Sequence, residues 1–265
     1  MCGRFVVARA SGELAADYNA EHIGDDVPEP SFNHAPTTRI PIVVASRGRD
    51  DEDGAAPVTR LEGASWGLIP SWAKDPRVGV RAFNARSETA ATKPTFRAAV
   101  AKRRAVIPVT GYYEWETLAD GSKRPFFFTP ADGGTFPLAG LYEWWKDPAA
   151  DGDDAWVLSA SILTRESTGH LARVHDRMPV FLRRDAVADW IDPDAQNGAE
   201  LLAHVAAEGD EVAQEITGYE VDRAVGNVRR NGPELIEPVK GRERIGPPPV
   251  AVSYTHLTLP TIYSV

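Results

Sequence analysis

The chain has 265 residues, 43 % of them hydrophobic and 25 % charged, with one cysteine and a formal net charge of −9. This is the composition of an ordinary globular chain; its single cysteine excludes intramolecular disulfides and multi-cysteine zinc sites and points to a reducing compartment. No secretory leader and no run of roughly 20 apolar residues is present, so a cytoplasmic protein is expected, without membrane, metal or cofactor.

The predicted elements begin just behind Cys2 with a strand at FVVA (5–8), then a helix over SGELAADYNA (11–20), for which Ser11 is a candidate cap. RIPIVVA (39–45) reads as a strand, and RDDEDG (49–54) as a solvated acidic loop. Between Arg77 and Arg104 eight basic residues face one acid, Glu88, which is either an exposed helix face or a local phosphate-binding patch on an acidic protein. Within that span SETAATKPTFRAAVAKR (87–103) is helical, with Ser87 as a second candidate cap and a restart at Pro94. RAVIPVTGYYEWET (104–117) and RPFFFT (124–129) are strands joined by a hairpin at Asp120-Gly121. The acidic KDPAADGDD (146–154) precedes strands at AWVLSASILT (155–164) and MPVFL (178–182), followed by helices at RRDAVADWI (183–191) and GAELLAHVAAE (198–208).

Strands outnumber helices and do not alternate regularly with them. That pattern predicts an α+β fold: a single domain over residues 1–245 with a curved, barrel-like, mainly antiparallel sheet flanked by helices. Residues 246–265 read as a disordered tail. From about Val252 its peptide VSYTHLTLPT back-translates to a sequence that resembles a sequencing-library adapter, and read-through of such an adapter is the expectation for this tail.

Cys2 poses the chemical question, because a chain end is a poor place for a core cysteine. Once Met1 is removed, Cys2 carries a free α-amine and a thiol on one residue, with ordinary pKa values near ~8 and ~8.5. The amine can condense with an aldehyde, and the thiol can then close a five-membered thiazolidine ring by an intramolecular attack. Other candidates lie in short motifs. FNARSET (83–89) holds Asn84, Arg86 and Glu88; HDRMP (175–179) puts His175 before a strand. In TGYYEWET (110–117), strand alternation puts Tyr112, Glu114 and Glu116 on one face, where a desolvated Glu114 would have a raised pKa.

MCGRF, FNHAP (32–36), WGLIPSW (66–72), NARSET (84–89), GYYEW (111–115), HDRMP and AVGNV (224–228) occur in this order, and together they resemble the SRAP (SOS response-associated peptidase) family of abasic-site processing proteins. The resemblance spans Cys2 to about Val239. It implies a covalent thiazolidine link between Cys2 and the ring-opened aldehyde of abasic sites in single-stranded DNA, including sites at single-strand/double-strand junctions. It also implies a peptidase activity on the chain's own N-terminus and a place in the DNA damage response, acting as a monomer at the nucleoid. Carried over, Cys2 is the nucleophile, Asn84 holds the crosslink, and Glu114 is the general acid/base in lyase-type Schiff-base chemistry. His175 shares that proton transfer. Arg4 and Arg86 bind phosphates, Thr164 hydrogen-bonds nearby, and Trp66 and Trp72 give apolar walls or a stacking surface. Asn33 of FNHAP joins the DNA-binding set, and His34 stands where a small apolar residue is expected. Two other readings remain open at this point: an N-terminal-nucleophile cysteine hydrolase using Cys2 with His175 and Glu114 or Asn84 on an amide, and a non-covalent reader of single-stranded or modified DNA.

Overall fold

A computed structural model describes residues 2–47, 56–152 and 155–248. The acidic run 49–54 and the adapter-like peptide lie outside the described residues.

Two sheets organise the chain. One runs in the order β14 (Arg244–Ile245), β13 (Ile216–Glu220), β9 (Lys123–Pro130), β8 (Gly111–Thr117), β1 (Phe5–Val7) and β3 (Ser31–His34). The other runs β12 (Arg177–Pro179), β11 (Trp156–Glu166), β10 (Phe136–Lys146), β7 (Arg104–Val109), β4 (Arg39–Ser46), β5 (Val58–Trp66) and β2 (His22–Ile23). A parallel contact of β11 with β5, at Ser159↔Ser65 and Ala160↔Trp66, closes five of these strands into a barrel. The short β6 (Asn84–Arg86) lies parallel to β11. The neighbours β4–β5, β4–β7, β7–β10 and β10–β11 are antiparallel, so the α+β, barrel-like, mainly antiparallel expectation holds.

The barrel core is apolar: Val43, Leu61, Val106, Ile107, Leu138, Leu141 and Ile162 are fully buried, each worth about 1.5–3 kcal/mol of transfer free energy. Helices α1 (Ser11–Asp17), α2 (Ser87–Ala90), α3 (Arg97–Lys102), α4 (Val187–Ile191) and α5 (Gly198–Gln214) complete the fold. None of the described helices is long and apolar enough to cross a membrane.

Several local expectations change. The run 104–117 is two strands in different sheets, broken at Thr110, which uses both its side chain and its carbonyl to bridge Ala8 and Thr129. Gly111 is required after that break, since a Cβ there would sit 2.5 Å from the Phe128 carbonyl oxygen. Ser11 and Ser87 are first helical residues rather than caps; Ala10 and Arg86 occupy the cap positions. After α2 the chain does not resume as helix at Pro94 but at Arg97. The strand expected at 178–182 is short, Arg177–Pro179.

Candidate active site

Cys2 is seated by β1, which lies between β8 and β3 with Phe5 opposite both Tyr112 and His34. The Tyr113 N–H donates to the Arg4 carbonyl at 2.9 Å, which carries the first residues along the start of β8. The alternation read from the sequence is realised there. Tyr112 packs in the same core cluster as Cys2, while Tyr113 and Trp115 enter a separate one. From the other side, β6 brings Asn84 opposite Ile162, and the Asn84 Nδ2 donates to the Cys2 carbonyl at 2.8 Å. Asn84 Oδ1 is buried without a hydrogen-bond partner.

The loop leading to β6 is pinned at its neck. Gly67, at φ +145°, approaches Gly79 so closely that a Cβ would meet the Gly79 carbonyl oxygen at 2.5 Å, a conformation and a spacing that favour glycine. Trp66 lies beneath as a floor. It is 0 % exposed, donates its indole N–H to the Phe83 carbonyl at 2.9 Å, and meets Phe5 edge-on at 4.7 Å.

Charge at the site follows from burial. Glu114 is 4 % exposed, and desolvation raises its carboxyl above the usual carboxylate range, with nearby positive charge, that of His175 included, acting the other way. Cys2 is 0 % exposed, and burial, then the Glu114 charge, pushes its thiol well up. Burial likewise raises the Tyr112 phenol, which feels both Cys2 and Glu114. The site therefore holds a protonated thiol beside a carboxyl poised to exchange a proton. His175 stands at its edge, its Nδ1 accepting from the Arg177 main-chain N–H at 3.0 Å. Thr164 is buried on β11, opposite Arg86 of β6 and Pro179 of β12.

The expected DNA-binding residues divide. Arg86 is exposed, and Trp72 is 63 % exposed. Arg4 instead spends its guanidinium on the protein: on Asn33 Oδ1 and the Val225 carbonyl, both at 2.8 Å, and on the Gly226 carbonyl at 3.2 Å. Asn33 is buried, and its Nδ2 donates to the carbonyls of Val225, Asn227 and Arg230. The basic segment is also not one patch. Arg104 is buried, holding the carbonyls of Val100, Ala101, Trp190 and Asp192, Arg103 pairs with Glu143, and Arg77 pairs with Asp75. Arg81, Arg86, Lys93, Arg97 and Lys102 remain exposed.

Comparison with known proteins agrees with this arrangement of motifs. The family model of the SOS response associated peptidases (SRAP) matches residues 1–228. The chain belongs to the SRAP family. Curated members include abasic site processing protein YedK of Escherichia coli, 34 % identical over 244 residues, covering 90 % of this chain and all of that one. Abasic site processing protein YoqW of Bacillus subtilis is 32 % identical over 241 residues, covering 89 % of this chain and 99 % of that one. A solved structure from Bacteroides thetaiotaomicron superposes with a TM-score of 0.72 at 22 % identity, over 90 % of this chain and all of that one, and shows the same fold.

One feature of this SRAP chain escaped the sequence reading. Arg177 and Glu88 pair across two motifs, at 2.7 and 3.0 Å, and no spacing within either motif reports that contact.

Proposed function

We propose that this protein captures abasic sites in single-stranded DNA through a thiazolidine formed at Cys2. The observation that carries the reading is the placement of Cys2 against both Asn84 and the buried Glu114. The names of its SRAP relatives, abasic site processing proteins, support the same substrate.

The chemistry starts when removal of Met1 frees the Cys2 α-amine and opens the otherwise buried residue. Glu114 in its protonated form gives a proton to the deoxyribose ring oxygen as the C1′–O4′ bond breaks, the anomeric hydroxyl loses its proton to water, and the sugar opens to its aldehyde. The amine adds to the aldehyde carbon, and loss of one water leaves the imine. The thiol sulfur then attacks the imine carbon. A C–S bond forms, the imine π pair becomes a lone pair on nitrogen, and the thiol proton passes to nitrogen through the Glu114 carboxylate. Asn84 fixes the backbone of the nucleophile, and its vacant Oδ1 is an acceptor for the freed amine. His175 supplies a second proton-transfer group. Arg86 and Trp72 supply exposed phosphate and base contacts, the latter worth roughly 1–3 kcal/mol per stacked base.

A cysteine hydrolase would need a thiolate, whose pKa is lowered by its surroundings. Here burial acts the opposite way on Cys2, which favours an order in which the amine reacts first. The test is a denaturing gel of the processed protein with single-stranded DNA bearing one abasic site. A slow band that Cys2→Ala abolishes supports the reading. A salt-sensitive complex without a covalent band supports a non-covalent reader and refutes it.

A further inference from the structure

We propose that Glu88 and Arg177 form a positioning pair that sets His175 relative to Asn84, and so governs the proton-transfer steps rather than DNA affinity. This rests on the crosslinking reading above and assigns work to two residues that reading leaves unused.

Arg177 opens β12, two positions after His175, and lies opposite Glu166 of β11. Glu88 is on α2, directly after β6, the strand that carries Asn84. The Arg177 guanidinium donates to both Glu88 carboxylate oxygens, at 2.7 and 3.0 Å, and to the Thr164 carbonyl at 2.8 Å. Its side chain is only 13 % exposed. A fork of this kind fixes direction as well as distance, which a point charge such as lysine does not. The pair also holds the Glu88 carboxyl below the usual carboxylate range, so it stays ionised and paired at neutral pH.

The same Arg177 is tied to His175 by its main chain. Its N–H donates to His175 Nδ1 at 3.0 Å. The same Nδ1 lies 2.9 Å from the Asp176 carboxylate, so the two residues that follow His175 both meet this one ring atom. One residue therefore grips the segment that follows Asn84 with its side chain and holds the His175 ring with its backbone. Release of the guanidinium frees β12 from α2 while leaving the Cys2, Asn84 and Glu114 contacts in place. The predicted consequence is a misoriented imidazole, and a small misplacement of a proton-transfer group costs about ten- to a hundredfold in rate.

The experiment uses the full chain with Met1 removed and measures single-turnover crosslinking over a range of abasic-DNA concentrations. The variants are Glu88→Gln, Glu88→Asp and Arg177→Lys. Glu88→Gln is expected to lower the saturating rate by about tenfold or more with the half-saturating DNA concentration changed less than about twofold. Glu88→Asp should recover part of the rate and Arg177→Lys should not. In a His175→Ala background, Glu88→Gln should add no further loss, because both act through one group. Independently of any reaction, 15N NMR of the ring, assigned by His175→Ala, should report a His175 signal that Glu88→Gln shifts. Weakened DNA binding at an unchanged saturating rate, an additive loss on His175→Ala, or an unaltered His175 signal in Glu88→Gln would each overturn the proposal. Absence of any covalent product from the unmodified protein would instead sink the crosslinking reading, and this pair's role in it, while the NMR result separates that outcome from a failure of the positioning argument.

Discussion

The Asn84 side-chain amide donates to the main-chain carbonyl of Cys2 at 2.8 Å, joining residues 82 positions apart. One hydrogen bond of this kind contributes only about 1 kcal/mol to stability, but here it fixes the backbone of the proposed nucleophile. Asn84→Ala is therefore expected to slow crosslinking by about ten- to a hundredfold, with the melting temperature nearly unchanged. A gel time course checks the first and calorimetry the second. Asn84→Asp, which keeps the shape but cannot donate, should behave like Asn84→Ala.

Glu114 makes a pH prediction. Its carboxyl is raised by burial, so the protonated form, the proposed proton donor, persists to higher pH than for an ordinary glutamic acid and is lost as pH rises through that raised value. The sugar-opening rate should fall over that window. Glu114→Gln should be slower by roughly 10²–10⁴-fold and should lose that pH dependence. A Glu114→Gln protein with the parental rate and profile removes Glu114 from the chemistry.

Much of this site was legible in the chain because its parts are short and local. The period-two alternation of β8 put Tyr112 and Glu114 on one face, and the structure keeps them there. Other features depend on where distant segments meet. Phe136–Lys146 showed no alternation because most of its residues are buried whichever way they point, as in strands covered on both faces. The eight cations of residues 77–104 looked like a patch, yet Arg104 is consumed by four backbone carbonyls that only the folded chain brings to it. Arg4 and Asn33 met the same fate at the loop around Val225.

That difference separates two arginines by experiment. Arg4→Ala removes the donor to Asn33 Oδ1 and to the Gly226 carbonyl and one of the two donors to the Val225 carbonyl, so a loss of about 2 kcal/mol, roughly 4–8 °C in melting temperature, is expected. Arg86→Ala should leave the melting temperature alone and weaken single-stranded DNA binding, lowering the slope of log K against log salt by about 0.7. The reverse assignment of effects would restore Arg4 as a phosphate ligand and retire Arg86.

His34 should leave a mark on acid stability. It is 5 % exposed, faces Phe5 with ring centroids 5.1 Å apart, and burial lowers its pKa from 6.5 to about 4. The unfolded chain binds the proton first, so the contribution of neutral His34 is complete above pH 6.5 and is lost as pH falls toward about 4. The full effect is at most about 3 kcal/mol. Urea unfolding at pH 7.5 and 4.5 should show a smaller pH difference for His34→Leu than for the parent chain. Equal differences would mean that His34 is not held neutral.

The most direct test of the account is intact-mass analysis of the Met1-processed protein after incubation with an oligonucleotide carrying one abasic site, with peptide mapping of the product. The account predicts a species equal to protein plus DNA less one water, mapped to the first residue, stable without borohydride, and absent for Cys2→Ala. Attachment at a lysine, an adduct that survives only after borohydride trapping, or no adduct with the amine free would contradict it.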